Sequence, residues 1–525
     1  MSDHDLLDLL IRFRHQETMS ASEFANQLSF LKQANQDQFE FALDQLNSFV
    51  QDAKNTENTV RNQLATAIAT RQLCFAPQVQ TYLQANENSD RISRLYRFVA
   101  DTQNHASQVD GSHLLAMLAT TNTRSSLANF ANLISELPPQ DERKAVECFV
   151  PFFRQTDPVP EFLFPKILDA LVHSNVAGIL LDLANFWFRQ GKVQAHPVMD
   201  SARPELVENL IRLLGQLAER LGVLEELAPH EAGNPEKAKQ AGDAINLAIS
   251  LCDTMGLIRA EAAIPKLNQL LSLSHRRLRV EAAAALARLR DEQGLTSLVE
   301  MASEPLVRLR VVAYAAELGV LDQVAEQYRS AESKAQAEMV VCLADASYFG
   351  MPPKLCELVE HRLLYWPGFD NQVDCYLFRF EYQFVDGEYT GFGIVGPLTH
   401  CLSVDMSGLS IDDIFALFAG WQAQHEEISI RAIDPANPDQ ATLVARFQRR
   451  LSDAGYHNIS PELMGIFFGE RCLVATADHD ESGTVVVEPN QIHWFPRNAA
   501  GNLLSPEDAF SIFQGRKMLD TFNSD

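Results

Sequence analysis

The chain is short of several things. Its eight cysteines, Cys74, Cys148, Cys252, Cys342, Cys356, Cys375, Cys401 and Cys472, are scattered, with no CxxC pair and no clustered framework of the kind that staples small secreted domains. Nothing in the sequence approaches the run of about 18 apolar residues that a membrane-spanning helix needs. The opening stretch "MSDHDLLDLLIRFRHQ" interrupts its apolar residues with charge, so it does not read as a signal peptide. These absences together lead us to expect a cytoplasmic protein with reduced thiols.

Positive charge is also scarce. Against 69 Asp plus Glu stand 43 Lys plus Arg, a formal net charge of −26 over 525 residues. Such a surface repels nucleic-acid phosphate and anionic lipid, which argues against general nucleic-acid binding and favours a protein partner with a basic surface. The familiar catalytic signatures are missing too: no P-loop, GxSxG elbow, HExxH or kinase set occurs.

What is present is helical periodicity. From the start to about residue 350, apolar residues recur at helix spacing in segments such as "DLLDLLIRF", "GSHLLAMLATT" and "RSSLANFANLISEL". Between Ile264 and Asp322 two segments align, Leu267 with Leu298, Arg277 with Arg308, Arg279 with Arg310, Val280 with Val311, Ala282 with Ala313, Ala285 with Ala316 and Asp291 with Asp322. The period of about 31 residues is that of a solenoid. Small residues at the alanine positions suit close helix approach, and the arginine and aspartate positions suggest a charge ladder between repeats.

These residues resemble the HEAT-repeat family, and "RLRVEAAAALARL" looks most like the phycobilisome-lyase type. The resemblance is clearest over residues 260–325. It implies an α-helical solenoid over residues 1–350, interrupted by an exposed insertion at 221–243. A weaker match, "FPKILDALVHS" from Phe164 with "IPKLNQLLSLS" from Ile264, extends the array upstream. Solenoid surfaces serve protein recognition, and Arg276, Arg277, Arg279, Arg308 and Arg310 are the candidate partner-binding residues. For the phycobilisome-lyase relatives the resemblance also implies chemistry on a bilin carried by a protein cysteine, an alternative reading.

From residue 356 onward the pattern changes to aromatic and β-branched stretches, "DCYLFRFEYQF", "EYTGFGIV", "RCLVATA" and "TVVVEP", separated by helices, one opened by a capping box at Ser410. A C-terminal α+β domain, 356–525, is expected there. Gly391, Gly393 and Gly396 have dinucleotide-fingerprint spacing, but Asp386-Gly387 signals a hairpin and a strand continues past Pro397, so we expect a glycine-bearing strand and no bound nucleotide.

"DHDESG" copies the front of a calcium loop at Asp478, Asp480 and Ser482, yet position twelve is Pro489 and the flanks are strands. A polar hairpin tip is the expectation, with no metal or other cofactor. Should this domain be an enzyme, Asp405, Asp412, His400 and His425 are its candidates. The leading expectation is a non-enzymatic scaffold with two recognition modules.

Overall fold

The structure is a computed structural model. It describes residues 86–103, 111–121, 123–154, 163–164, 166–193, 204–227, 235–385, 387–434, 436–497 and 501–523, with isolated positions 44, 47, 48 and 50. The first helical segments read from the sequence, Pro165 and Asp386 lie outside the described residues. Packing divides the chain into residues 1–298 and 299–525.

The first unit is helical: α1 Asn86–Gln103, α2 Ser112–Thr121, α3 Arg124–Glu136, α4 Glu142–Arg154, α5 Ser174–Arg189, α6 Pro204–Leu227, α7 Pro235–Leu257, α8 Ile264–Leu271 and α9 Arg276–Arg288. Helices pack on neighbours one and two steps along the chain, as α2 does on α3 and α4, and α7 on α5 and α9. A continuous apolar core results, with Phe130, Phe149, Phe152 and Trp187 in edge-to-face contact. The loop expected across 221–243 is narrower in the structure. Residues 221–227 complete α6 with Leu221 buried, and 235–243 begin α7, leaving only 228–234 outside the description.

The division falls inside α10, Glu292–Glu300, rather than near residue 350. The reason lies in what the next helices bury. α11, Pro305–Glu317, turns Val307, Val311, Tyr314 and Ala315 inward and packs on α12, Ala331–Ala344. Ala313 and Ala316, aligned with the buried Ala282 and Ala285, are exposed. In turn α12 lays Met339, Val340 and Leu343 on a β-sheet. Helical periodicity shows that a face is apolar and is silent on what covers it.

That second unit is layered. β1 Leu355–Tyr365, β2 Gln372–Phe384, β3 Gly387–Val395 and β4 His400–Cys401 form one antiparallel sheet in chain order. β5 Ile428–Ala432, β6 His457–Phe467, β7 Glu470–Asp478, β8 Ser482–Val487 and β9 Ile492–Pro496 form another. Alternation sorts the strand residues: Tyr376, Phe378, Phe380 and Tyr382 face α12, while Cys375 and Leu377 face the inner helices α13, Ile411–Gln422, and α15, Pro506–Asn523. On the second sheet, Leu473 and Ala475 face α14, Pro438–Asp453, and Cys472 and Val474 face α13 and α15. The aromatic row is therefore core, apart from Phe384 at 40% exposure.

This layering comes from a duplication. "LSIDDIFALFAG", Leu409–Gly420, repeats as "LSPEDAFSIFQG", Leu504–Gly515. Ser410 and Ser505 cap their helices identically, accepting from the N–H of Asp413 and Asp508 and donating to the same side chains. The strand registers correspond as well: Cys375 opposite Arg362 matches Cys472 opposite Gly465, and both first strands bulge at the same place, between Leu358 and Glu360 and between Pro461 and Leu463.

The two inner helices cross where each has its glycine. A Cβ on Gly420 would collide with the Ser511 carbonyl, and one on Gly515 with the Ala416 carbonyl. Ser511 is the repeat equivalent of Ala416, so the contact is reciprocal, as across a twofold axis. The two halves run from α12 to α13 and from α14 to α15.

Candidate functional site

The described helices of the first unit enclose a groove of about 880 Å³. Helices α4, α5, α6, α7 and α9 each contribute to it, bringing Arg143, Arg220, Lys239 and Arg277 together with Asp141, Glu142, Asp182 and Asp243. Its size is within the roughly 300–1,000 Å³ of ligand clefts, but its walls carry more charge than a small-molecule pocket.

The groove floor is set by a polar seam between α5 and α7. α5 buries Val176, Leu180, Leu183 and Trp187 while placing Asp182, Asn185 and Arg189 along one side at helical spacing. Ser250 Oγ donates to Asp182 Oδ1 at 2.6 Å, Asn185 Nδ2 donates to the Ser250 carbonyl at 3.0 Å, and Thr254 Oγ1 donates to Asn185 Oδ1 at 2.9 Å. Deeper in, Asp253 accepts from Arg189 through both carboxylate oxygens and from Arg288 of α9 at 3.1 Å. Buried polar groups of this kind fix the helix register, because any slip leaves them unpaired. Partial burial raises the Asp182 carboxyl above its ordinary range, offset by Ser250 and Arg277.

The arginines singled out by sequence separate here. Arg277 is exposed and lines the groove, Arg276 and Arg310 are exposed, and Arg279 is half-buried. Arg308 is 3% exposed, its guanidinium donating to the Ala302, Ser303 and Ser333 carbonyls and to Gln336 Oε1. Its donors hold α11 to α12, so its guanidinium is enclosed where that of Arg277 is exposed. Of the expected ladder acids, Asp291 accepts the Gly294 N–H and starts α10. Asp253, which no repeat alignment singles out, gathers arginines from two helices, Arg189 and Arg288.

In the second unit two of the fingerprint glycines lie on β3, as the hairpin signal implies, Gly391 opposite Phe380 and Gly393 opposite Phe378, and Gly396 follows the strand's last residue. Their absent side chains make room for neighbours. A Cβ on Gly391 would come within 2.6 Å of the Phe380 ring, one on Gly393 within 2.6 Å of Met339, and Gly396, with φ of 130°, sits against the Asp374 carbonyl.

"DHDESG" is the β7–β8 turn, Asp478 pairing with Ser482. Asp478 accepts from Asn458, and the Ser482 and Asn458 hydrogen bonds hold its carboxyl low, whereas Asp480 is fully solvated. Among the described residues no group of three or more His, Cys, Asp or Glu is arranged to hold a metal ion.

The residues suggested for an enzymatic C-terminal domain are each engaged locally. Asp405 accepts from Ser407, Asp412 pairs with Arg362 at 2.8 Å, and His425 accepts the Glu427 N–H while touching the Phe468 ring. His400 stacks on Trp421 with ring centroids 4.3 Å apart and shares a 2.8 Å hydrogen bond with Tyr348 Oη.

One charged cluster escaped sequence reading altogether. Glu488, 3% exposed, accepts from Lys517 Nζ at 2.7 Å and lies 3.4 Å from His493 Nε2, while Arg516 joins His493 to Asp413. Its signal was the repeat itself: His493 stands where the first half has His400, and Arg516 where it has Trp421.

No protein-family model matches the chain, and no curated protein matches it. Among the described residues no helix is long and apolar enough to cross a membrane.

Proposed function

We propose that the chain is a non-enzymatic interaction scaffold whose HEAT-like helical part recognises an extended, polar segment of a partner protein. The observation that carries this reading is the groove, to which five helices contribute charged side chains of both signs along its length. Charge alternating over such a surface recognises a chain of complementary pattern better than a compact ligand, and the net charge of −26 draws basic partners toward it. Arg277 and Lys239 are two of the four exposed cations that line the groove, and they come from different helices, α9 and α7.

The test is affinity purification of the full chain from its native extract, followed by native mass spectrometry. A stoichiometric protein partner is expected, lost in moderate salt and in the Arg277→Glu/Lys239→Glu variant. A chain that emerges alone, or a partner retained unchanged by the double reversal, overturns the reading.

A further inference from the structure

The two halves of the second unit differ at one sheet edge. In the second half β5 covers β6, pairing Ile428 with Phe467 through to Ala432 with Leu463, and the Phe468 N–H donates to the Glu427 carbonyl. The shared register puts Tyr365 where Phe468 stands, Leu363 with Ile466 and His361 with Met464. At Tyr365 the N–H donates to Asn523 Oδ1 at 2.8 Å and the carbonyl accepts from Asn523 Nδ2 at 3.1 Å. The Asn523 amide thus stands in for the start of the missing strand and covers one residue of the edge.

Beyond it, among the described residues, β1 is terminal in its sheet. Peptide groups of alternate residues in an antiparallel pair face the same way, so Leu363 and His361 share the outward direction of Tyr365. Leu363 is 53% exposed and Tyr365 41%. Long edges of this kind are normally shortened, charged or covered. From the bulge to Tyr365 the open stretch matches the length of β6 that β5 occupies. Glu357, Asp374 and Asp412 are exposed beside this strand; Glu360 and Asp412 pair with Arg362, and Arg379 stands opposite Glu357.

We propose that the β1 edge accepts an extended segment of a partner polypeptide as an added antiparallel strand, apolar residues alternating with polar or basic ones. The pattern is that of β5, whose Ile428 and Ile430 pack on the inner core while Arg431 stays exposed. Main-chain hydrogen bonds give such an addition its affinity and the alternate side chains its selectivity. The proposal concerns a surface of the second unit and is independent of the groove.

The probe is a fluorescein-labelled peptide of the chain's own residues 427–433, Glu-Ile-Ser-Ile-Arg-Ala-Ile, titrated onto the full-length protein by anisotropy. Saturable, salt-weakened binding is expected. Leu363→Pro removes an outward N–H without touching the β1–β2 ladder, so it should weaken binding about tenfold or more while leaving the thermal transition in place.

Peptides N-methylated at the amides facing β1 should lose binding to the same degree, and those methylated at the intervening amides should keep it. This pair decides the matter on wild-type protein if the proline variant does not fold. No saturable binding up to millimolar peptide, or no difference between the two methylated peptides, overturns the proposal. So does a folded Leu363→Pro variant that binds as well as wild type. A concentration-dependent dimer abolished by Leu363→Pro overturns it in favour of a second copy of the chain on this edge.

Discussion

His400 lies flat against Trp421, a ring 47% exposed, and its equivalent His493 sits beside Arg516 in a cluster that reaches Glu488, Lys517 and Asp413. One scaffold has thus been given two surfaces. Among the described residues, the half from α12 to α13 keeps an uncovered sheet edge and the exposed Trp421 ring on a half-buried His400, while the half from α14 to α15 has its edge covered by β5 and buries Glu488. What both halves share is the part that geometry forbids to vary: the capping serines, the glycine crossing and the bulge. The lesson is that packing sets the first group, while the differing residues are available for recognition on one side and for holding the halves together on the other.

The comparison is broken most severely at the glycine crossing. Ala at Gly420 or Gly515 gains about 1 kcal/mol in helix propensity, yet its methyl would meet a carbonyl of the opposite helix and force the pair apart, for a net loss of about 3 kcal/mol in either variant. Because the contacts are reciprocal, the two losses should agree within about 1 kcal/mol, and the double variant should cost less than their sum. Urea unfolding of the full chain measures all three. A large loss at one glycine and none at the other would refute the equivalence of the halves.

A smaller effect should separate the halves. Glu488→Gln leaves the Lys517 ammonium with Glu470, whose side chain is 59% exposed. Breaking a fully buried pair costs about 3–5 kcal/mol; Lys517 keeps 28% of its side chain in solvent, which lowers the expected loss to about 2 kcal/mol. Burial opposes the Lys517 charge, but Glu488 and Glu470 more than offset it and raise its pKa. In the first half, Trp421→Ser, at the position equivalent to Arg516, removes a half-exposed ring and its stack on His400 and should cost about 1 kcal/mol. Chemical denaturation of the two variants side by side tests the contrast, and equal losses would remove it.

Much of this was legible in the sequence. Ser410 with Asp413 announced a helix start, Gly387 a hairpin return, and the alternation around Tyr376 a core-facing strand. The duplication was equally present, Leu409–Gly420 against Leu504–Gly515, yet loops of different length shift the offset between matching strands and helices, so no single period exposes it.

Burial of charge was the other blind spot. Arg308 sits in the same local pattern as Arg277, and nothing in that pattern tells that one guanidinium is enclosed by carbonyls and the other lines a groove. The polar seam of Asn185, Ser250 and Thr254 escaped for the same reason, since its members pair across elements distant in the chain.

The finest distinction between the halves is their response to acid. Burial lowers the His493 pKa, with Arg516 and Lys517 acting in the same direction and Glu488 against them. A histidine whose pKa is lower folded than unfolded binds more protons in the unfolded chain, so its contribution is intact above the unfolded value near 6.5 and is lost as pH falls toward the folded value. His493→Gln should therefore flatten the fall in stability below about pH 6.5.

His400 is also lowered by burial, but its neighbours are the neutral rings of Trp421 and Tyr348. His400→Gln should flatten the curve less. Unfolding measured from pH 5 to 8 for both variants decides the order. If His400 proves the larger contributor, the inward cluster of the second half is not where this unit is sensitive to protons, and the division between an outward-facing and an inward-facing half fails at its most delicate point.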